Sequence, residues 1–354
     1  MTTSFRQLHQ PTGRLLDSNK QHFLFFGGTA YLGLTTDKEY TRLYKEGIDR
    51  YGLNNGTSRS NNVQQGIYGE VEDYLASRFG FTAAAVFSSG YLAAQAAVQA
   101  LSADQHAFFA PNCHPALWPS LHQPYVHESF EEWITATVQE INTSEKRNFV
   151  LVSNSLDNLT PEMYDFSILK NIRKDKNVTL ILDDSHGIGV LYRNAISAQP
   201  NLLELDNIEL VVVASLAKGM GTDAGVVLGS AETVQCIQMN PIFRGGSPPS
   251  PAGMYALRHG QAIYEKQFDR LQENIHRFHE LLPADMLRSI PDFPVFTSPD
   301  SLLYARLMAR NMVISSFPYP LATSPLLNRI VLSALHEIDD LKKLSTVLKN
   351  RRFC

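Results

Sequence analysis

VTLILDDSHG (178–187) and LVVVASLAKG (210–219) decide the reading of this chain. Each is a continuous apolar run, rich in Val, Leu and Ile, that stops abruptly in small and polar residues. A strand with one wet face alternates apolar and polar residues, whereas a strand covered by helices on both faces has no such need. Four further runs have the same form: AAAVFSS (83–89), HAFFAP (106–111), NFVLVSNS (148–155) and GVVLGS (225–230). Between them lie segments of helical composition such as YLAAQAAVQALSA (91–103). This alternation predicts an α/β fold with a mostly parallel, doubly wound sheet.

Outside that region the pattern changes. AIYEKQFDRLQENIHRFHELLP (262–283) predicts a long amphipathic helix, followed by strand-like pieces such as SLLYARLM (301–308) and NRIVLSAL (328–335), then a last helix near 337–350. The proline-rich SPPSP (247–251) marks a break before it. The expected organisation is a large domain over residues 46–249 and a smaller α+β domain made of 1–45 and 250–354.

Composition narrows the function classes. The chain has 354 residues, 44% hydrophobic and 19% charged, with a formal charge of −4. That balance lacks the basic stripe of a nucleic-acid surface. No apolar run approaches the roughly 20 residues of a membrane span, and the N-terminus has no apolar core of signal-peptide length. Neither nucleic acid nor membrane is expected as a partner. Three widely spaced cysteines, Cys113, Cys236 and Cys354, form no disulfide framework; a cytoplasmic location follows as the expectation.

In open α/β sheets, ligands bind beyond the carboxyl ends of the strands, and four groups of polar residues fall there. Ser88-Ser89-Gly90-Tyr91 follows a strand and opens a helix, where free N–H groups and hydroxyls suit a phosphate; an N-cap with a tight turn would look the same. Asp183 ends the most apolar strand and could hold a protonated ring nitrogen, with His186 three residues on bonding a phenolic oxygen or the substrate. An acidic pair there could equally bind a metal or cap a helix. Lys218 follows an apolar strand between small residues; a dry lysine with a lowered pKa forms imines with aldehydes, although an idle loop lysine is the plainer reading. His114, in APNCHPALW (110–118), could stack on a flat heteroaromatic ring or serve only its loop.

The order of these groups, each at a successive strand end, resembles the fold-type I pyridoxal-phosphate (PLP) enzymes. More narrowly the chain is similar to the α-oxoamine synthases, which include 8-amino-7-oxononanoate synthase and serine palmitoyltransferase. The matching segments are YLGL (31–34), SSGYLAAQAA (88–97), DDSHGIGVL (183–191), SLAKGMG (215–221) and RIVLSALHEIDDL (329–341). The resemblance implies a Schiff base between PLP and Lys218, Asp183 at the pyridinium nitrogen, His186 near the phenolic oxygen and His114 on the ring face. It places Ser89, Gly90, Tyr91 and Ser215 around the phosphate and Arg329 at the carboxylate of an amino-acid substrate. It also implies a homodimer in which Ser247, of Ser247-Pro248-Pro249, reaches the neighbouring cofactor.

Departures from the family pattern cluster elsewhere. Val63 and Tyr68 stand where a glycine and a histidine are usual, Asn158-Leu159-Thr160-Pro161-Glu162 replaces a Ser-Met-x-Gly-Asp stretch, and Arg244-Gly245-Gly246 replaces threonines. Ser324-Pro325-Leu326-Leu327-Asn328-Arg329 replaces the usual Gly-Thr-x-Arg approach. Asn158 is a candidate cofactor contact. The resulting expectation is a PLP-dependent transferase condensing an amino acid with an acyl-CoA. The alternatives are an aminotransferase for a small amino acid, another PLP enzyme such as a lyase or racemase, and a PLP-binding protein of reduced activity.

Overall fold

The structure, a computed structural model, describes residues 5–18, 20–119, 129–198, 202, 205–318, 323 and 326–350. Cys354, Ser324 and Pro325 lie outside the described residues. In chain order the strands are β1 (Leu15–Ser18), β2 (Gln21–Phe26), β3 (Ala83–Phe87), β4 (His106–Phe109), β5 (Asn148–Asn154), β6 (Leu156–Asp157), β7 (Glu162–Met163), β8 (Asn177–Asp183), β9 (Ile208–Ser215), β10 (Gly225–Gly229), β11 (Arg288–Ser289), β12 (Val295–Thr297), β13 (Met312–Pro318) and β14 (Leu326–Val331). The three helices that matter most for the site are α1 (Lys38–Tyr51), α2 (Ile67–Phe79) and α3 (Gly90–Ser102).

The six apolar runs become one sheet with the order β3-β10-β9-β8-β5-β4. The pairs β4–β5, β5–β8 and β8–β9 are parallel, and β10 runs antiparallel to both β9 and β3. Chain length explains the exception. Residues 216–224 are all that join β9 to β10, fewer than the dozen or so that a parallel crossover needs. Both faces are covered: Val150, Leu151, Val152, Leu180, Ile181, Leu182, Val211 and Val212 are each at most 1% exposed, so the continuous runs reflect burial on two sides.

A second six-stranded sheet, β1-β2-β13-β14-β12-β11, draws on both ends of the chain. Strand β2 lies parallel to β13, with Phe26 opposite Ile314. SLLYARLM is not a strand: Leu303–Met308 is a helix with Leu303 and Leu307 buried. Those two leucines are four residues apart, the helical spacing, and that periodicity outweighs the run's apolar composition. NRIVLSAL supplies β14, the 262–283 segment forms the helix Gln261–Glu280, and the last helix is Ile338–Lys349. Among the described residues no helix is long and apolar enough to cross a membrane.

Two close contacts hold the segments that flank the sheets. Helix α1, capped by Asp37 accepting from the Tyr40 N–H at 2.8 Å, lies on the helix Pro251–His259 at Gly47, where a Cβ would stand 2.7 Å from the Cα of Ala252. His336, 2% exposed, stacks on Phe26 at 4.3 Å, faces the Phe25 carbonyl with Nε2 at 3.0 Å, and accepts from the Ser333 N–H on Nδ1 at 2.9 Å. The acceptor role of Nδ1 requires a neutral ring, and burial pushes the pKa of His336 down to about 4. The unfolded ring protonates near 6.5. The stabilisation is therefore complete above that pH and is lost as pH falls toward 4, an effect of about 3 kcal/mol. Urea unfolding at pH 7 and pH 4.5 is expected to show a smaller stability difference in His336→Gln than in the wild-type chain; equal differences would remove this role.

Candidate active site

The hydrogen-bond register of the central sheet sets the site. Asn154 is paired with Asp183, and Asp183 with Val213, so β5 and β8 end at one level and β9 runs two residues further, to Ser215. Beyond these ends a cavity is lined by Asn112, His114, Asn154, Asp157, Asn158, Asp183, His186 and Lys218, among others. Four residues singled out in the sequence, His114, Asp183, His186 and Lys218, thus share one cavity although more than 100 residues separate the first from the last.

The glycine turn is built by close approach. Ser89 is the N-cap of α3, its hydroxyl accepting from the Leu92 N–H at 3.2 Å. The first helical N–H groups, those of Gly90 and Tyr91, have no intrahelical acceptor, the arrangement that binds phosphate. A Cβ on Gly90 would stand 2.6 Å from the Cα of Ser215, and one on Gly225 would overlap the Ser89 carbonyl. Only glycines allow the ends of β9 and β10 to come this close to the helix start. The Tyr91 ring is 54% exposed, so the contribution of this residue to an anion is its backbone N–H. Ser215 is fixed in turn: its N–H donates to the Ser185 hydroxyl at 2.8 Å.

The two aspartates divide. Asp184 points into the core, accepting from the Ser155 hydroxyl at 2.6 Å and the Ser197 N–H at 2.9 Å, and burial raises its pKa to about 6. Asp183 accepts from the Ser185 N–H at 2.9 Å and lines the cavity. Asp184 therefore anchors the loop while Asp183 serves the site.

Lys218 and His186 form the centre. Lys218 Nζ lies 3.1 Å from His186 Nε2, and the other ring nitrogen, Nδ1, lies 2.7 Å from the Tyr31 hydroxyl. Burial lowers the pKa of Lys218, with the Asp183 carboxylate acting in the opposite direction. Burial, and then the Lys218 and Arg329 charges, hold His186 well below its ordinary value. A lysine so placed keeps more of its amine unprotonated, the form that attacks an aldehyde. The loop after Lys218 is held by a buried trio: the Tyr40 and Tyr264 hydroxyls, 2.9 Å apart, donate to the Met220 carbonyl, and Thr222 bonds Tyr40 at 2.7 Å. His114 is oriented by its backbone, its N–H donating to Asn154 Oδ1 at 3.1 Å and its Nδ1 accepting from the Ala116 N–H at 3.1 Å.

Arg329, on β14 and 4% exposed, donates to Asn158 Oδ1 at 2.7 Å. It lies close enough to oppose the rise that burial causes in the pKa of Tyr31, which reaches about 12. Asn158 thus meets the arginine as well as lining the cavity. Ser247 is not in this cavity; it lines a separate small one with Arg59, Ser88, Phe243 and Pro248. Val63, where the family has glycine, is 70% exposed, while Tyr68 is buried and donates to the Pro249 carbonyl at 2.9 Å. Tyr31 opens the YLGL match, yet the sequence assigns it no role; Asn154 and Ser185 give no signal at all.

The donor set fits pyridoxal phosphate: an amine for its aldehyde, a carboxylate for its ring nitrogen, an imidazole at the cavity wall and a helix start for its phosphate. No family model matches the chain. Solved serine palmitoyltransferases superpose on nearly all of it. The enzyme from Sphingomonas wittichii has a TM-score of 0.82 at 16% identity, covering 99% of this chain and 91% of that one. The fold is that of these serine palmitoyltransferase structures. A serine palmitoyltransferase variant from S. paucimobilis, solved with a bound PLP–myriocin aldimine, gives 0.80 at 18% identity over 98% and 92% of the two chains. An 8-amino-7-oxononanoate synthase from Francisella tularensis gives 0.67 at 19% identity over 93% and 97%. In sequence the chain is 26% identical to the 8-amino-7-oxononanoate synthase of Yersinia pestis, over 97% of this chain and 93% of that one. It is 25% identical to the enzyme of Nitrosomonas eutropha, over 99% and 95%. The family resemblance read from the motifs is borne out.

Gly90→Ala is expected to lose about 1–3 kcal/mol in urea unfolding through overpacking against Ser215, and to weaken stabilisation by inorganic phosphate. Gly69, in α2 with nothing within 4 Å of an added Cβ, is the control: Gly69→Ala is expected to be neutral or to gain up to about 1 kcal/mol.

Proposed function

We propose that the protein is a PLP-dependent transferase that joins the α-carbon of an amino acid to the acyl group of an acyl-CoA, releasing CoA as its thiol. The observation that carries this reading is the convergence of Lys218, His186, Asp183 and His114 on one cavity, with Arg329 beside it. The named relatives, all acyl-transferring synthases, support the same reaction class. Lys218 would supply the amine for the cofactor aldehyde, Asp183 would meet the ring nitrogen, His114 would lie at the ring, and Ser89, Gly90, Tyr91 and Ser215 would hold the phosphate. When bound, PLP draws electrons away from the substrate α-carbon.

The chain's own groups do the rest. Arg329 offers a planar donor pair suited to a carboxylate, and an amino-acid carboxylate would take over the contact now made by the Asn158 amide. That grip would place the α-hydrogen where Lys218 Nζ can remove it; the thioester C–S bond breaks as the carbon–carbon bond forms, and the proton taken by Lys218 leaves with the CoA thiolate as its thiol. His186 holds the phenolic oxygen. Burial around Lys218 keeps water from competing for the thioester carbon.

Ser247 lies away from the Lys218 cavity of its own chain, which is where a residue serving the cofactor of a second copy would lie; we therefore assign a homodimer. The unpaired Cys113 and Cys236 fit a reducing cytoplasm. Incubation with PLP, amino acids and acyl-CoAs is expected to release free thiol with one pairing, and Lys218→Ala is expected to reduce that release at least about 100-fold. Thiol release from no pairing, with amino-group transfer to a keto acid instead, would replace this reading by an aminotransferase.

A further inference from the structure

We propose that Tyr31 is a positioning residue that fixes the tautomer of His186, so that the imidazole presents an N–H, not a lone pair, to the cavity. The inference rests on the function proposed above only for what that N–H would meet.

The groups form a buried line. The Tyr31 hydroxyl stands 2.7 Å from His186 Nδ1, His186 Nε2 stands 3.1 Å from Lys218 Nζ, and the Arg329 charge is near enough to lower the Tyr31 pKa against the rise that burial causes. Tyr31 itself is fully buried, so no solvent offers its proton an alternative partner. A guanidinium has five N–H donors and no acceptor. Among the described residues Nδ1 is the acceptor within hydrogen-bond reach of this buried hydroxyl, so its proton points to Nδ1, and the nearby Arg329 charge favours lone pairs on its own side. A neutral imidazole that accepts on Nδ1 carries its hydrogen on Nε2.

The opposite arrangement fails on the same count. Were Lys218 to donate as an ammonium to Nε2, Nδ1 would carry the hydrogen and donate to Tyr31. The tyrosine proton would then face the Arg329 cation with no acceptor beyond it. The groups facing the ring are Lys218, Arg329, His114 and Tyr31, and among them only Tyr31 can donate to Nδ1 in the observed geometry. Polarity thus runs one way along the line, from the cation that would grip a carboxylate to the N–H that would meet an anionic phenolic oxygen. YLGL, whose tyrosine is Tyr31, thereby gains a chemical reason.

Nitrogen-15 NMR of histidine-labelled, cofactor-free protein tests this directly, with His186→Asn identifying the signal. The wild-type chain is expected to show His186 as the Nε2–H tautomer. Tyr31→Phe, which keeps the buried ring and removes only the hydroxyl, is expected to shift it to Nδ1–H or to a mixture. Arg329→Met, which leaves the hydroxyl but removes its director, is expected to give a mixture. A wild-type Nδ1–H signal, or an unchanged Nε2–H signal in a folded Tyr31→Phe, would overturn the assignment; the wild-type spectrum decides alone if both variants unfold. Adding PLP separates this inference from the cofactor reading. Failure of the wild-type chain to develop visible absorbance sinks the cofactor and leaves the tautomer result standing. With uptake intact, Tyr31→Phe is expected to move the pH midpoint of that absorbance by about one unit, and no movement counts against the assignment.

Discussion

Everything in this site depends on the register of three parallel strands. Because Asn154, Asp183 and Val213 are neighbours across β5, β8 and β9, the chain leaves β5 and β8 at the same height and β9 within two residues of it. The segments carrying His186 and Lys218 are thereby delivered to one cavity, and His114, which follows β4, joins them through its bond to Asn154. A slip of one residue in β8 would turn Asp183 to the opposite face and carry Asp184 into its place. The observed register is secured by side chains that fill both faces of the sheet, so a register error would expose the same residues that hold the core together.

The anchoring of these ends is redundant in a way that suits a lysine of lowered pKa. Asp184 and Ser155 fasten the loop after β8, Ser185 fastens Ser215, and the Tyr40–Tyr264–Thr222 trio fastens the loop after Lys218. None of these groups lines the Lys218 cavity except Ser155. Apart from the carboxylate of Asp184, they hold a buried amine in place with neutral groups, since a hydroxyl or a backbone carbonyl orients the chain and leaves the electrostatics of Lys218 to Asp183 and Arg329. Neutral anchors around a charged centre keep the amine's environment in the control of two residues.

Much of this is legible in the chain alone. The six apolar runs declare a sheet covered on both sides, because Val, Leu and Ile without alternation suit a strand that meets helices above and below it. The residues that follow those runs then point to Asp183, His186 and Lys218. What stays hidden has physical causes. The antiparallel return of β10 depends on a loop length, which composition does not reveal. SLLYARLM reads as a strand because the six residues of its helix make less than two turns, too few for apolar spacing to stand out. Tyr31 meets His186 across 155 positions, and Arg329 meets Asn158 across 171; pairings of that reach have no local signature. Asn154 looks like any polar strand end.

The second sheet is knitted from residues 15–26 and 288–331, and this has a bearing on how the protein is made. Tyr31 leaves the ribosome early and Arg329 near the end of synthesis, so the central sheet can form with Lys218 in place before the arginine exists. Strands joined across such a distance close slowly. A nascent or truncated chain lacking β14 would carry the amine, the carboxylate and the helix start, but neither the carboxylate grip nor the director of Tyr31. On the function proposed above, substrate recognition would thus be the last property the polypeptide acquires, and an incomplete chain would hold reactive parts without the means to select what they act upon.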